Sequence, residues 1–294
     1  MDLKQLEYLV AVADAGSFSR AAAALNLAQP TLSRQVAVLE AELGERLLVR
    51  TGRGASPTEA GHILLVHARA MLGTAQRARE ELRDLHESPG GRITVGLPPR
   101  VALALGAVLV RRFRERFPRA VISVTEGLSL QLREWLVAGR LDLALLFDPS
   151  ASPQLAFKTV MREALLLVAP PGVRLPARVA LAALPHYPVV LPSAPNAIRS
   201  LIDAVLRPRN VVLDVVAEVG AVHTALALVA QGVAHSILPE SAVAHDEGRR
   251  LPRAAIGPPA VRNSLVLATP LARPATRLTR GTADLLEGLD FRML

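Results

Sequence analysis

Apolar residues recur at helical spacing through the beginning of the chain and predict three short helices there. Glycines at positions 16 and 44 stop the first and third helices, and Ser17 caps the second, which contains an alanine run. An apolar triplet and a glycine-containing bend follow the third helix and predict a short strand and a turn. The predicted elements are helices over 3–15, 18–24 and 29–43, and a strand over 47–49. Together they predict a small domain over residues 1–58.

A long helix is predicted next, over residues 59–87. Ser56, Pro57 and Glu59 have the pattern of a capping box with proline at the first helical position. Apolar residues then recur every three or four positions for three heptads, which favours pairing with a second copy of the helix. The alternative is that this face packs against its own domain. The predicted dimerisation residues are Leu64, Ala68, Met71, Ala75, Ala78, Leu82 and Leu85.

Residues 88–91, with the sequence Ser-Pro-Gly-Gly, predict a hinge, and beyond it strands alternate with helices. Such alternation is typical of parallel sheets covered by helices on both faces. Two sets of these units and a late return of the chain predict two α/β subdomains within 92–294. Subdomain I comprises 92–161 and 264–294, and subdomain II comprises 162–263. Ligands of such sheets bind at the carboxyl ends of the strands, in the cleft between the halves.

The boundaries of these elements follow from the same pattern. The predicted strands are 92–96, 120–125, 141–147, 164–169, 188–191, 211–219, 233–238 and 264–269. The predicted helices are 101–116, 128–138, two near Ile198 and Ala225, and a closing helix over 275–289.

The composition excludes several classes of protein. The absence of cysteine excludes disulfide scaffolds, cysteine-ligated zinc, iron–sulfur clusters and thiol catalysis. With 51% hydrophobic residues, the 294-residue chain can form a sizeable core, and about 150 residues per domain predicts two domains. The apolar run at 101–110 is shorter than the roughly 18 residues of a membrane span. Early acidic residues argue against a signal peptide. The sequence therefore predicts a soluble, cytoplasmic protein with no membrane partner.

The positive charge of the chain is unevenly distributed. The formal net charge is +8, but residues 1–60 contribute −1, residues 61–90 contribute nothing and residues 91–294 contribute +9. If the amino-terminal domain binds DNA, it must do so through a local basic face. The excess in the remaining part fits an anionic ligand or a solvated surface.

Residues 18–37 have the arrangement of a helix-turn-helix, because a helix of small residues, a tight turn and a helix with a polar front follow one another. Arg34 can donate two hydrogen bonds to guanine, and Gln29 or Gln35 can pair with adenine. Thr31 and Ser33 suit phosphates or either base. The alternative for Arg34 is a solvated helix surface. The predicted DNA-binding residues are Ser19, Arg20, Gln29, Pro30, Thr31, Ser33, Arg34, Gln35, Arg50 and Arg53.

Catalytic motifs are not found in the sequence. The seven histidines include no pair four residues apart, and no metalloprotease, nucleophile-elbow, P-loop or dinucleotide pattern occurs. We therefore predict no catalytic residue, no metal site and no cofactor.

The motifs of the first 61 residues resemble the amino-terminal signature of LysR-type transcriptional regulators. The resemblance implies a winged helix-turn-helix, a coiled-coil linker helix and a periplasmic-binding-protein-like domain that binds an effector. It also implies tetramers built from two kinds of dimer. Ala28 and Leu48 depart from the family pattern, where a capping serine and a phenylalanine are common. The motifs are Ser17-Phe18-Ser19-Arg20-Ala21-Ala22, Gln29-Pro30-Thr31-Leu32-Ser33-Arg34-Gln35, Leu39-Glu40, Leu43-Gly44, Leu47-Leu48-Val49-Arg50-Thr51 and Thr58-Glu59-Ala60-Gly61.

Within the family, later segments are most similar to the nitrogen-assimilation-control branch. These segments are Gly96-Leu97-Pro98-Pro99, Glu126-Gly127-Leu128-Ser129, Glu134-Trp135-Leu136 and Leu191-Pro192-Ser193. The family's effector sites, carried over by position, imply a set of effector-binding residues. They are Pro99, Arg100, Ser129, Phe147, Ser193, His223 and Thr224.

Arg100 stands where many members of the family have a serine or threonine. A guanidinium at the start of a helix suits a carboxylate or phosphate, and the alternative is a surface arginine. His223 is a ligand contact or a packed histidine.

The sequence therefore predicts a DNA-binding transcriptional regulator whose carboxyl-terminal domain senses a small molecule, with an anion as the candidate class. The expected partners are double-stranded DNA with inverted half-sites, a small-molecule effector, further copies of the chain in a homodimer or homotetramer, and RNA polymerase. Two alternatives stay open: a small-molecule-binding module whose winged domain mediates protein contacts, and an α/β enzyme with an appended dimerisation helix.

Overall fold

The computed structural model describes residues 1–51, 54–84, 90–244, 246–273 and 275–294. Some predicted functional positions fall outside these ranges. Arg53, Leu85, Ser88 and Pro89 lie outside the described residues, and so does the side chain of Arg50.

The amino-terminal domain, called the head (residues 1–58), contains three helices and a two-stranded wing. Local caps set the helix ends as predicted: Gly16 and Gly44 adopt left-handed conformations, and the Ser17 hydroxyl accepts the Arg20 N–H. The wing strands pair antiparallel. The elements are α1 (Leu3–Ala15), α2 (Phe18–Ala24), α3 (Gln29–Leu43), β1 (Leu48–Thr51) and β2 (Gly54–Pro57).

Helix α4 (Glu59–Asp84) leaves the head directly after the wing. The predicted cap at Ser56 is wrong, because Ser56 and Pro57 belong to β2 and pair with Val49 and Leu48. Thr58 caps the helix instead: its hydroxyl accepts the Gly61 N–H at 3.0 Å and donates to the Arg46 carbonyl at 2.6 Å. Ser56 and Thr58 are both residue types that can cap a helix. Because Ser56 pairs within the wing, Thr58 provides the cap.

The remaining residues form the carboxyl-terminal domain (residues 90–294), in which strands and helices alternate. Its elements are β3 (Gly91–Leu97), α5 (Pro99–Arg116), β4 (Ala120–Glu126), α6 (Ser129–Val137), β5 (Leu143–Phe147), β6 (Leu155–Val168), β7 (Arg178–Val179), β8 (Val189–Pro192), α7 (Ala197–Leu206), β9 (Val215–Val219), α8 (Val222–Ala230), β10 (His235–Pro239), β11 (Arg253–Ile256), β12 (Arg262–Pro270) and α9 (Arg277–Glu287).

Two long strands join the halves of this domain. The strand order is β4-β3-β5-β12-β6-β10-β8-β9, and β11 pairs with both β6 and β7. Strands β3, β4 and β5 pair in parallel, and so do β8, β9 and β10. Strands β6 and β12 run antiparallel to each other and to β10 and β5. The parallel strands of each half are therefore joined by two antiparallel crossing strands, because the chain leaves subdomain I and returns to it.

The α/β architecture with an amino-terminal winged helix-turn-helix is confirmed. The core of subdomain I lies between its sheet and helices α5 and α9, where Leu105, Leu109, Phe113 and Leu286 are buried. Among the described residues, no helix has the length and apolar character needed to cross a membrane.

Candidate functional site

The front of α3 presents polar side chains to solvent. Thr31 and Arg34 are exposed, and Gln29, Ser33 and Gln35 are partly exposed. The opposite face of α3 is buried through Leu32, Val36 and Leu39. This division fixes the helix on the head by its apolar side and leaves its first turns accessible, which is the geometry that a recognition helix needs.

Helix α2 packs beside α3 through small residues. Ala21 and Ala22 are buried, while Ser19 and Arg20 on the other side of α2 are exposed. Pro30 is exposed in the first turn of α3, and Ala28 precedes that turn without a capping side chain. Six predicted DNA-contacting residues of α3 therefore lie together at its start. Arg50 lies on β1, in the wing.

The predicted dimerisation face of α4 divides into two parts. Leu64, Ala68 and Met71 pack against the core of the head, and Ala68 is 0% exposed. Ala68 is covered by its own head, so its assignment to the dimer seam stays a prediction. Helix α1 packs against this part of α4. This agrees with the alternative that the apolar face of α4 packs against its own domain. Further along, Ala75 is partly exposed, and Ala78 and Leu82 are exposed, Leu82 by 67%.

Arg100 lies in a buried ion pair rather than on an open surface. Its Nη2 donates to Glu163 Oε1 at 2.8 Å, and the two side chains are 15% and 6% exposed. Its Nη1 donates to the hydroxyl of Ser241. Because Arg100 lies in predicted subdomain I and Ser241 in predicted subdomain II, the guanidinium connects the two sides of the predicted cleft. We call the Arg100–Glu163 contact the cleft ion pair.

Other side chains hold the cleft ion pair in position. Glu163 Oε2 accepts the backbone N–H of Ser241 at 2.9 Å, and Oε1 accepts Asn263 Nδ2 at 3.3 Å. The Arg100 guanidinium lies 5.0 Å from the centroid of the Phe147 ring, within the range of a cation–π interaction. The carboxylate of Glu163 is thus the anion that satisfies Arg100 in this structure.

The predicted effector residues fall into two groups. In subdomain I, the Ser129 hydroxyl accepts the Phe147 N–H at 2.8 Å, which holds the start of α6 against the residue whose ring contacts Arg100. Pro99 precedes Arg100 in the first turn of α5. In subdomain II, Ser193 donates to the Val219 carbonyl at 3.3 Å.

His223 and Thr224 are exposed in the first turn of α8. Among the described residues, no hydrogen bond joins Ser193, His223 or Thr224 to Arg100.

Asp148 adjoins the same cleft, directly after Phe147. Burial raises the pKa of the Asp148 carboxyl, the Ser264 N–H opposes this rise, and the charge of Glu163 adds to it. The Ser264 N–H donates to Asp148 Oδ1 at 2.8 Å. Ionisation of the Asp148 carboxyl therefore costs free energy, and the amount depends on the neighbouring groups in the cleft.

A second ion-pair cluster joins the head to the carboxyl-terminal domain. Asp14 Oδ1 accepts Arg69 Nη2 of α4 at 2.5 Å and Arg140 Nη2 of subdomain I at 3.1 Å. Arg140 follows Gly139, which adopts a left-handed conformation. A Cβ on Gly139 would lie 3.2 Å from Arg69 Cβ and would run into the Arg273 guanidinium. The loop can approach α4 this closely because residue 139 is glycine.

Sequence reasoning missed Glu163, Ser241, Asp14 and Arg140. Glu163 is 63 residues from Arg100 and Ser241 is 141 residues away, so no local pattern connects them. Glu163 follows Arg162 and precedes the apolar run that predicts a strand from residue 164, so the local sequence contains no signal for it.

Comparisons with known proteins match both parts of the chain. The family profile described as "Bacterial regulatory helix-turn-helix protein, lysR family" matches residues 3–62, and "LysR substrate binding domain" matches residues 86–289. The nitrogen assimilation regulatory protein nac of Klebsiella aerogenes is 34% identical over 246 residues, which cover 82% of this chain and 79% of that protein. The HTH-type transcriptional regulator BbuR of Bordetella bronchiseptica is 32% identical over 248 residues, covering 84% and 76%.

Solved structures agree with the architecture. Full-length OxyR from Pseudomonas aeruginosa has a TM-score of 0.79 at 22% identity and covers 98% of this chain and 95% of its own, which shows the fold. Full-length CbnR in complex with its target DNA has a TM-score of 0.54 at 25% identity, covering 97% and 98%. The resemblance stated from the sequence motifs is confirmed at the level of the family.

Proposed function

Because this chain belongs to the LysR family of bacterial transcriptional regulators, we propose that it recognises an operator with the front of α3 and that a small molecule in the cleft controls this binding. The chain is a DNA-binding regulator with an effector-binding domain and not an enzyme. The protein-contact module and the enzyme with an added helix are the alternatives that these comparisons do not support.

The exposed polar front of α3 is the observation that carries the DNA proposal. Arg34 has a fork of donors that matches guanine, and the side chains around it can reach phosphates or adenine. The head contributes no net positive charge, so we assign affinity to local contacts by Arg20 and the wing arginines Arg50 and Arg53. Specificity is assigned to the residues of α3.

We assign dimerisation to the accessible part of α4. Ala78 and Leu82 are exposed and Ala75 is partly exposed, and among the described residues none of the three belongs to the core of the head. A two-fold dimer places two α3 helices in successive major grooves, so the operator has inverted half-sites about one helical turn apart. A tetramer and a contact with RNA polymerase follow from the family resemblance and are proposed on that basis alone.

Control by the effector is proposed to act on the cleft ion pair. In this structure Glu163 and Ser241 hold Arg100, which fixes subdomain I against subdomain II. A carboxylate or phosphate on the effector would compete with Glu163 for Arg100. An effector that binds one arrangement of the subdomains more tightly shifts the population toward that arrangement. Such a shift would reach the head through the Asp14–Arg140 contact.

The test uses the purified full chain, a promoter fragment selected from genomic DNA and a random duplex of equal length. We expect Arg34→Ala to weaken promoter binding by about 1–3 kcal/mol and random-duplex binding by less, because it removes a base contact. Lys4→Ala is the matched control, since Lys4 is an exposed cation of the head on α1. Equal losses on both duplexes for Arg34→Ala would contradict base recognition.

A further inference from the structure

A cavity of about 280 Å³ lies at the end of the subdomain I sheet opposite the effector cleft. The cleft adjoins the carboxyl ends of β3 and β5, whereas the cavity is lined at their amino ends by Arg92 and Asp142. Leu97 is five positions after Arg92 on β3, and at about 3.3 Å per residue the two sites are roughly 17 Å apart along the strand. A ligand of this cavity cannot also touch Arg100.

Positive charge dominates the lining of this cavity. Arg92, Arg273 and Arg280 line it together with one carboxylate, Asp142. That carboxylate is already engaged, since Asp142 Oδ2 accepts the Thr94 N–H at 2.8 Å. The Arg273 side chain is largely buried, and its Nη1 donates to the Leu141 carbonyl at 3.2 Å. Arg273 Nη1 also lies 4.0 Å from Asp142 Oδ1, and Arg280 Nη1 donates to the Ala275 carbonyl. One carboxylate therefore faces three guanidiniums, and the lining carries a surplus of positive charge.

The remaining lining suits the two ends of an amphiphilic molecule. Helix α9 begins at the cavity, and its cap residue Thr276 and Thr279 lie in the lining, so the positive end of the helix dipole adds to the arginines. Ile93, Leu143 and Leu278 provide an apolar wall. A cavity of about 150 Å³ accommodates a benzene-sized molecule, so this one accommodates a ring or short chain that carries an acid group.

We propose that this cavity is a second ligand site, which binds a small organic anion with a carboxylate or phosphate against Arg92 and Arg280 and an apolar body against Ile93 and Leu278. Arg273 lines the cavity and also lies against Gly139, next to the Arg140–Asp14 contact with the head. The site therefore adjoins the joint between the head and the carboxyl-terminal domain.

The test is calorimetric titration of the full chain with three probes: cyclohexanecarboxylate, its neutral amide and inorganic phosphate. We expect cyclohexanecarboxylate to bind and the amide not to, because the arginines recognise the charge. Binding of phosphate in addition would assign recognition to the oxyanion itself, and binding of the carboxylate alone would assign it to the carboxylate with its apolar body. Failure of both anions at millimolar concentration, or equal binding of the amide, would overturn the proposal.

Variants separate this site from the cleft. The double variant Arg92→Gln/Arg280→Gln removes two exposed guanidiniums. It is expected to weaken the affinity for the anion by at least about tenfold. Arg174→Gln, the same change on an exposed loop, and Arg100→Gln in the cleft are expected to leave it unchanged. Anion binding that is lost in Arg100→Gln and retained in the double variant would place the ligand in the cleft and overturn the proposal.

Discussion

The strength of the cleft ion pair is open to a double-mutant cycle with Arg100→Met and Glu163→Gln. The two side chains are less than one-sixth exposed and their atoms are 2.8 Å apart. Unit charges about 4 Å apart at an effective dielectric constant of about 20 attract by about 4 kcal/mol. Removal of one partner from a buried pair costs about 3–5 kcal/mol, because the other charge stays buried and unpaired. We expect the double variant to lose about 2–4 kcal/mol less than the sum of the single losses.

The assay is urea unfolding of the full chain, followed by fluorescence of Trp135. This residue is the sole tryptophan in the sequence and lies on α6 in subdomain I, so its signal reports the carboxyl-terminal domain. The control cycle uses Lys158→Met and Glu287→Gln, a pair at 2.7 Å whose side chains are 67% and 31% exposed and whose coupling should stay below about 1 kcal/mol. Additive losses for Arg100 and Glu163, within about 0.5 kcal/mol, would refute the argument.

Three further predictions concern stability. Ala28→Ser should stabilise the head by about 1 kcal/mol in thermal unfolding, because Ala28 is the extended N-cap of α3 and offers no side-chain acceptor. Gly61→Ala should destabilise the head by about 1–3 kcal/mol in calorimetry, since its Cβ would lie 2.0 Å from the Leu47 carbonyl oxygen. Asp148→Asn keeps the acceptor for Ser264 and removes the charge that burial disfavours. Because solvent reaches Asp148, which is exposed, this variant should be only slightly more stable than the natural chain at neutral pH. The difference should vanish as the pH falls below the ordinary carboxyl pKa of 3.8.

Each of these predictions has a matched control or a contradicting result. Ala37→Ser places the same change at an exposed interior position of α3 and should not stabilise the head. Gly106→Ala adds a methyl group to α5 where no atom lies within 4 Å, and it should stabilise by about 0.5–1 kcal/mol. A stability difference for Asp148→Asn that does not change with pH would show that charge is not the cause.

Local chemistry determined which parts of the fold the sequence predicted well. Glycine and serine caps act within a few residues, so the ends of α1 and α3 follow from the sequence. Strand β6 begins at Leu155, whereas the pattern predicted it from residue 164. The missed half carries Lys158 and Arg162 and pairs with β12, about 100 residues further along the chain. The first half of β6 is a strand because it pairs with β12.

The candidate sites also differ in how well the local sequence predicts them. The front of α3 is recognisable from sequence because its residues lie within one helix. The partner of Arg100 was not, because Glu163 reaches it only when β6 crosses between the subdomains. The heptad pattern of α4 does not distinguish a partner helix from α1 of the same chain, so the extent of the dimer seam stays a prediction.

The most direct test of the central claim is a base-pair scan of the operator with the natural chain and with Arg34→Ala. Each position of one half-site is substituted in turn and the affinity is measured at constant salt. We predict that the natural chain loses about 1–3 kcal/mol at a guanine position, and that Arg34→Ala loses this discrimination there and keeps it at the other positions. The same discrimination profile for both proteins would contradict the proposal that the front of α3 recognises the operator.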